Sequence, residues 1–472
     1  MATHDSAAPD RPEAPGDQTP GADLLAPVPP DPAASAPLPP RFEPVARADR
    51  LTAVDVLRGV ALLGILAMNI VSFSWPFSGY DNPDLSGGPG RANRSAWMVN
   101  HLLFSGKMMS LFSMLFGAGL VLMTDRAERR GMSFTGVYYR RVLWLLVIGL
   151  IHAYFIWSGD ILVAYALCGL VLYLFRSTSP KRLFVLGVVL IVGSSLVLPV
   201  LGLTVGAVRG MAATTTAEPG AERGGSPSTD PARAGMAKAW QEMRVFFEPT
   251  EEQYAEQLAA YRGSYWEVFP HRAEESIGFQ AFYLPMFIWG IAGRMLLGMA
   301  FMKMGVFSAG RSTRFYGVMA LIAYGIGLPL TIVGGLDLWA TDFEVVRGMV
   351  FGVSLALLGT VPVALGHAAV VMLVVKSGAL PRLTARLAAV GRMALTNYLT
   401  QSIVGTLLFY GYGLGMYGTL DRPTLWLIVL AIWAVQLWYS PLWLARFRYG
   451  PAEWLWRSLT YLKPQPMRAA KS

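Results

Sequence analysis

Residues 51–75 read LTAVDVLRGVALLGILAMNIVSFSW. After Arg58 the run carries no charge. It is long enough to cross a bilayer, which takes about 20 apolar residues as a helix. A helix is the form required, because in hydrocarbon every backbone N–H and C=O must be satisfied within the segment. Further runs of this kind lie near 106–124, 141–157, 161–176, 183–206, 279–302, 314–334, 346–375, 392–412 and 424–444. Together they predict an all-α, polytopic transmembrane helical bundle of about ten spans. The runs at 141–157 and 161–176 are joined by almost no loop and form a tight hairpin around Gly159-Asp160.

Composition agrees. Of the 472 residues, 54% are hydrophobic and only 15% are charged. The net charge of +9 does not indicate nucleic acid. The basic residues sit in short loops between apolar runs rather than on one amphipathic face, so the partner they imply is a lipid bilayer. The single cysteine, Cys168, lies inside an apolar run. An intramolecular disulfide is therefore excluded, as is a cysteine-based metal site, and no metal is expected. No secretory signal precedes the first apolar run.

Loop charge gives the bundle a direction. Arg47 and Arg50 precede the first span, and Arg126, Arg129, Arg130, Arg140 and Arg141 follow the second. Every second loop after that is basic, down to Arg446, Arg448, Arg457 and Lys463. The alternate loops are less basic or acidic, as with Asp337, Asp342 and Glu344. Both ends are therefore expected in the cytoplasm, as a multi-pass membrane protein. The expected organisation is a disordered Pro/Ala-rich tail (1–50), five spans (51–207), an extracytoplasmic loop (208–278), five spans (279–462) and a cytoplasmic tail (463–472). The first half of the long loop is of low complexity. Its second half reads as polar, amphipathic helix, suited to a lid over an outward-facing cavity or to a solvated decoration of the surface.

Ionisable residues inside spans are costly and mark functional sites by default. Asp55 and Arg58 are three apart and share a face of the first span, as an internal ion pair or an anion-binding arginine with its support. Asn69 lies roughly 21 Å further along that helix. His152 is a candidate general base. Asp160 follows it at the hairpin turn, roughly 12 Å away if the helix continues, and is placed to cap the next helix at Leu162 or Val163. Asn397 and Gln401 are four apart on one face of the ninth span, with Thr396 and Thr400 beside them. Nucleotide-binding, zinc-protease and serine-hydrolase motifs are absent, and Gly413, Gly415 and Gly418 match a dinucleotide pattern without the strand it needs.

Five stretches carry a family resemblance: LTAVDVLRGVALLGILAMNI, SLFSMLFGAG, RRVLWLLVIGLIHAYFIWSGDILVAYALCG, GRMALTNYLTQS and YGPAEWLWRSLTY. They resemble the YeiB-like bacterial membrane proteins of the DUF418 family over residues 47–462. The D-x-x-R-G opening, Asp55 to Gly59, is also similar to that of lysosomal heparan-α-glucosaminide N-acetyltransferase. That resemblance implies transfer of an acyl group from cytosolic acyl-CoA to a sugar across the membrane. The catalytic histidine of those enzymes follows their first span. The equivalent stretch here, 76–104, offers only His101 in a different context, so the role falls to His152 on position.

The expected activity is thus acyl transfer from acyl-CoA to an extracytoplasmic saccharide or lipid-linked hydroxyl. Arg58, Arg140, Arg141 and Arg392 supply charge for the CoA phosphates. His152 acts as base, Asp160 orients, and Asn69, Asn397 and Gln401 line the path. The alternatives are a transporter or flippase for a small amphipathic or lipid-linked metabolite, and a non-catalytic partner in an envelope assembly.

Overall fold

The computed structural model describes residues 52–131, 133–216, 235, 238 and 248–468, with backbone alone at 212–216. Its helices of ten residues or more are α1 (Thr52–Ser74), α2 (Arg91–Leu103), α3 (Lys107–Arg129), α4 (Thr135–Phe155), α5 (Leu162–Leu172), α6 (Pro180–Ser195), α7 (Val197–Thr216), α8 (Glu251–Ala260), α9 (Tyr265–Gly278), α10 (Leu284–Lys303), α11 (Thr313–Ala340), α12 (Val353–Ser377), α13 (Pro381–Arg392), α14 (Ala394–Phe409), α15 (Arg422–Arg446) and α16 (Pro451–Tyr461). Among the described residues there is no β-strand, only an antiparallel bridge between Phe447 and Arg468. The all-α architecture expected from hydropathy is the one observed.

Among the described residues, eight helical stretches are long and apolar enough to cross a membrane. They are α1, α2–α3, α4, α6–α7, α9–α10, α11, α12 with the turns before it, and α15. The other two expected spans are shorter. α5 has 11 residues and α14 has 16, so they rise only about 16 and 24 Å. Both bury most of one face within the chain, and both end up beside the site described below. The expected tail at 1–50 lies outside the described residues, as does the low-complexity half of the long loop.

α1 is apolar on all sides, the pattern of a helix packed within a bundle. It crosses α13 with the two backbones in contact. A Cβ on Gly391 would lie 1.9 Å from the Asp55 carbonyl oxygen, and one on Gly59 2.1 Å from that of Leu387. This contact sets Asp55 and Arg58 beside Arg392. α16 packs against the start of α4, where the Trp456 indole N–H donates to the Arg141 carbonyl at 2.8 Å.

The described end of the long loop, 248–278, holds α8 and α9. α9 covers the far end of α4 and satisfies carbonyls that no helical N–H reaches. The fully buried Arg272 donates to the Tyr154 carbonyl at 3.0 Å, Ser276 to that of Ala153 at 2.9 Å, and Tyr265 to that of Phe155 at 2.9 Å.

Candidate functional site

A cavity of about 280 Å³ enters the bundle from the end where the basic loops lie. Six arginines line it: Arg58, Arg126, Arg141, Arg392, Arg448 and Arg457. Only two carboxylates, Asp55 and Glu453, stand against them on the wall. Asp55 is taken by Arg58 at 3.2 Å. Glu453 is taken by the start of α14, where it accepts from the backbone N–H groups of Leu395 at 2.6 Å and Thr396 at 3.0 Å. Burial pushes the Glu453 carboxyl above the usual carboxylate range, and the hydrogen bonds from Thr396 oppose that rise. Among the described residues, Arg141, Arg448 and Arg457 have no ion-pair partner. Instead Arg141 lies over the Trp456 ring at 3.7 Å and Arg457 over that of Tyr449 at 4.8 Å. The mouth is therefore rich in positive charge, and guanidinium groups are the side chains that bind anions bidentately.

Inward, the wall turns apolar, with Leu62, Ile65, Leu115 and Leu145. It ends at Ile161, Leu162 and Tyr165 of the α5 entrance and Tyr398 of α14. Behind that end lies His152, fully buried, and Asp160, 3% exposed. α4 stops at Phe155, with the N–H groups of Ile156 and Trp157 both bonding back to the His152 carbonyl. The chain then reverses, so Asp160 comes back alongside instead of standing a helix-length away. Gly149 makes the reversal possible: a Cβ there would meet the Val163 nitrogen at 2.8 Å.

Asp160 does two jobs. One oxygen accepts from the His152 Nδ1 at 2.7 Å, and the other accepts from the Val163 N–H at 2.8 Å, capping α5. An ionised carboxylate only accepts, which assigns the proton to Nδ1 and leaves Nε2 an acceptor in the neutral ring. Nε2 is buried and makes no hydrogen bond.

The sequence candidates separate accordingly. Asp55, Arg58, Arg141 and Arg392 line one cavity, and His152 and Asp160 are paired at its inner end. Arg140 turns away, and its Nε donates to the Thr460 carbonyl at 3.0 Å. Asn69 is off the cavity, on the last turns of α1. Asn397 and Gln401 face α15. Gln401 donates to Gln436 at 2.9 Å, while Asn397 donates to Ser440 at 3.2 Å and accepts from the Tyr439 hydroxyl. They hold α14 in place and do not reach the cavity wall.

Sequence reasoning missed Arg448, Glu453 and Arg457 as site residues, counting the arginines only as loop charge. It also passed over Tyr398, flanked by the two amides it singled out. Arg294, an arginine in the middle of α10, escaped as well; its Nε donates to Ser110 at 2.8 Å. An ionisable residue in an apolar run was the available signal.

The fold and this buried polar interior define a polytopic, all-α membrane protein. The DUF418 family, described as a protein of unknown function, matches residues 301–463. The chain is 34% identical to "Uncharacterized protein YxaH" of Bacillus subtilis (strain 168), over 90% of this chain and 98% of that protein. It is 31% identical to "Uncharacterized protein YeiB" of Escherichia coli (strain K12), over 87% of this chain and 96% of the relative. The chain belongs to the YeiB-like DUF418 family.

Proposed function

We propose that the protein is an acyltransferase of the bacterial inner membrane. It takes an acyl group from cytosolic acyl-CoA and delivers it to a saccharide or lipid-linked hydroxyl on the far side. The observation that carries this reading is a one-ended cavity with an arginine mouth, an apolar wall and a His–Asp pair behind its inner end. The mouth suits the CoA phosphates, which arginine binds bidentately. The apolar wall suits the pantetheine arm and acyl chain. His152, with Nδ1–H fixed on Asp160, offers Nε2 as the base for an acceptor hydroxyl.

Binding of acetyl-CoA and palmitoyl-CoA to purified protein in nanodiscs, by calorimetry, tests the reading together with thiol release. Micromolar binding that weakens with salt is the expected result. Protein that neither binds nor consumes either thioester sinks the proposal. A transporter or flippase is the second reading, favoured by the same one-ended cavity under a loop that covers the opposite end. Ligand crossing a proteoliposome membrane unchanged selects it.

A further inference from the structure

We propose that Tyr398 is a catalytic residue of this site, standing between the bound substrates and the His152–Asp160 pair; the proposal rests on the acyl-transfer reading. His152 is fully buried and forms no part of the cavity wall. A ligand in the cavity therefore meets another side chain first. That side chain is Tyr398, whose ring centroid is 5.1 Å from that of His152.

The hydrogen bonding at the inner end singles out the same residue. Tyr165, the other tyrosine there, is committed: its hydroxyl bonds the Ser113 hydroxyl at 2.8 Å and donates to the Met109 carbonyl at 3.3 Å. Tyr398 Oη is buried beside the Ile161 backbone without closing a hydrogen bond of ordinary geometry. His152 Nε2 makes no hydrogen bond at all, whereas Tyr398 Oη keeps the Ile161 backbone close by and has no side-chain partner. Buried polar atoms are nearly always paired. Two neighbouring exceptions, one on the wall and one behind it, are arranged for a third polar group arriving through the cavity.

The rest of the structure keeps Tyr398 in place. Asn397 and Gln401 on either side of it are tied to α15, and Glu453 caps the helix start. A ring on so constrained a helix face has little freedom to leave the His152 ring.

The step balances as follows. The acceptor hydroxyl oxygen forms a bond to the thioester carbonyl carbon. Its proton passes to Tyr398 Oη as the tyrosine proton passes to His152 Nε2, the arriving group having drawn together two atoms that share no hydrogen bond in the free protein. Asp160 holds the Nδ1 proton and stays ionised. When the carbon–sulfur bond breaks, the proton returns along the same path to the leaving thiolate. Acyl-CoA and an alcohol become an ester and free CoA, with His152 and Tyr398 restored.

The test uses full-length protein in nanodiscs with acetyl-CoA and palmitoyl-CoA as donors and water or octyl glucoside as acceptors. Thiol release gives turnover and calorimetry gives binding. Tyr398→Phe keeps the ring and its packing. It is expected to bind both donors within about twofold of wild type while kcat falls roughly 10²–10⁴-fold. His152→Ala is expected to fall comparably, and the double variant no further, since the two act as one unit. Wild-type kcat in Tyr398→Phe overturns the proposal and leaves the acyl-transfer reading standing. So do losses that multiply in the double variant, or a loss in binding alone. Wild-type protein that neither binds nor cleaves the thioesters overturns both.

Discussion

Replacing Asp160 with asparagine separates its two jobs. The carboxylate holds the His152 Nδ1 proton and also caps α5 through the Val163 N–H. An asparagine oxygen can still accept from Val163, so the cap survives. Its NH₂ group then faces Nδ1, and an NH₂ cannot accept. The imidazole has to carry its proton on Nε2 instead, and the base becomes a donor. The structural cost is one charge-assisted hydrogen bond traded for a neutral one, about 1 kcal/mol. Asp160→Ala loses more: the cap, about 0.5–2 kcal/mol, plus a buried imidazole N–H left without a partner, about 1–3 kcal/mol. The sum, about 1.5–5 kcal/mol, is a large share of a typical folding free energy. Thermal unfolding in detergent should therefore place Asp160→Asn near wild type and Asp160→Ala well below it. Thiol release from acyl-CoA should fall in both, by up to about 10⁴ in the asparagine variant, the cost known for reversing a buried tautomer. An asparagine variant that is folded and fully active refutes the assignment of Nε2 as the base. Equal melting temperatures for the two variants refute the capping argument.

The other expectations concern the walls. Gly391→Ala puts a methyl 1.9 Å from the Asp55 carbonyl and must push α1 from α13; a loss of about 1–3 kcal/mol is expected in thermal unfolding, together with weaker acyl-CoA binding. Arg141→Gln should raise the acyl-CoA dissociation constant about tenfold, from loss of a charged hydrogen bond, whereas Arg140→Gln, whose Nε is occupied by the Thr460 carbonyl, should leave it within about twofold. Equal effects at the two positions would mean the cavity is not the binding site. Glu453, whose carboxyl burial raises, holds its proton more tightly folded than unfolded. Its contribution to stability is therefore full at low pH and is lost as pH rises from the ordinary carboxylate range through the folded value. Glu453→Gln should remove that part of the pH slope in unfolding experiments, and an unchanged slope would show that another group causes it.

Hydropathy alone located the eight long apolar stretches, because a span announces itself within its own twenty or so residues. The charge at the mouth was partly legible for the same reason: Asp55 and Arg58 are local to one helix, and Arg141 and Arg392 flank apolar runs. What the sequence hid was return. His152 and Asp160 meet because α4 ends at Phe155 and the chain doubles back. An extrapolated helix kept them apart. The YGPAEWLWRSLTY segment carries the family resemblance but shows nothing of its contacts in its own residues: Trp456 folds back onto Arg141, and Glu453 onto the start of α14. Asn397 and Gln401 show the opposite error. Two amides on one face fit a cavity or a helix interface equally well by spacing, and only the position of α15 decides for the interface.

Arg141 and His152 belong to the same unbroken helix, eleven residues apart. At about 1.5 Å per residue their backbones stand roughly 16 Å from each other, and no rearrangement of the loops can alter that interval. α4 is thus a ruler. On the acyl-transfer reading it fixes how far the charged head of a donor must lie from its reacting bond. A phosphorylated molecule shorter than that interval should then occupy the mouth as a competitor without reaching His152, and selectivity for donors should be set by length before any atom of the acyl group is inspected.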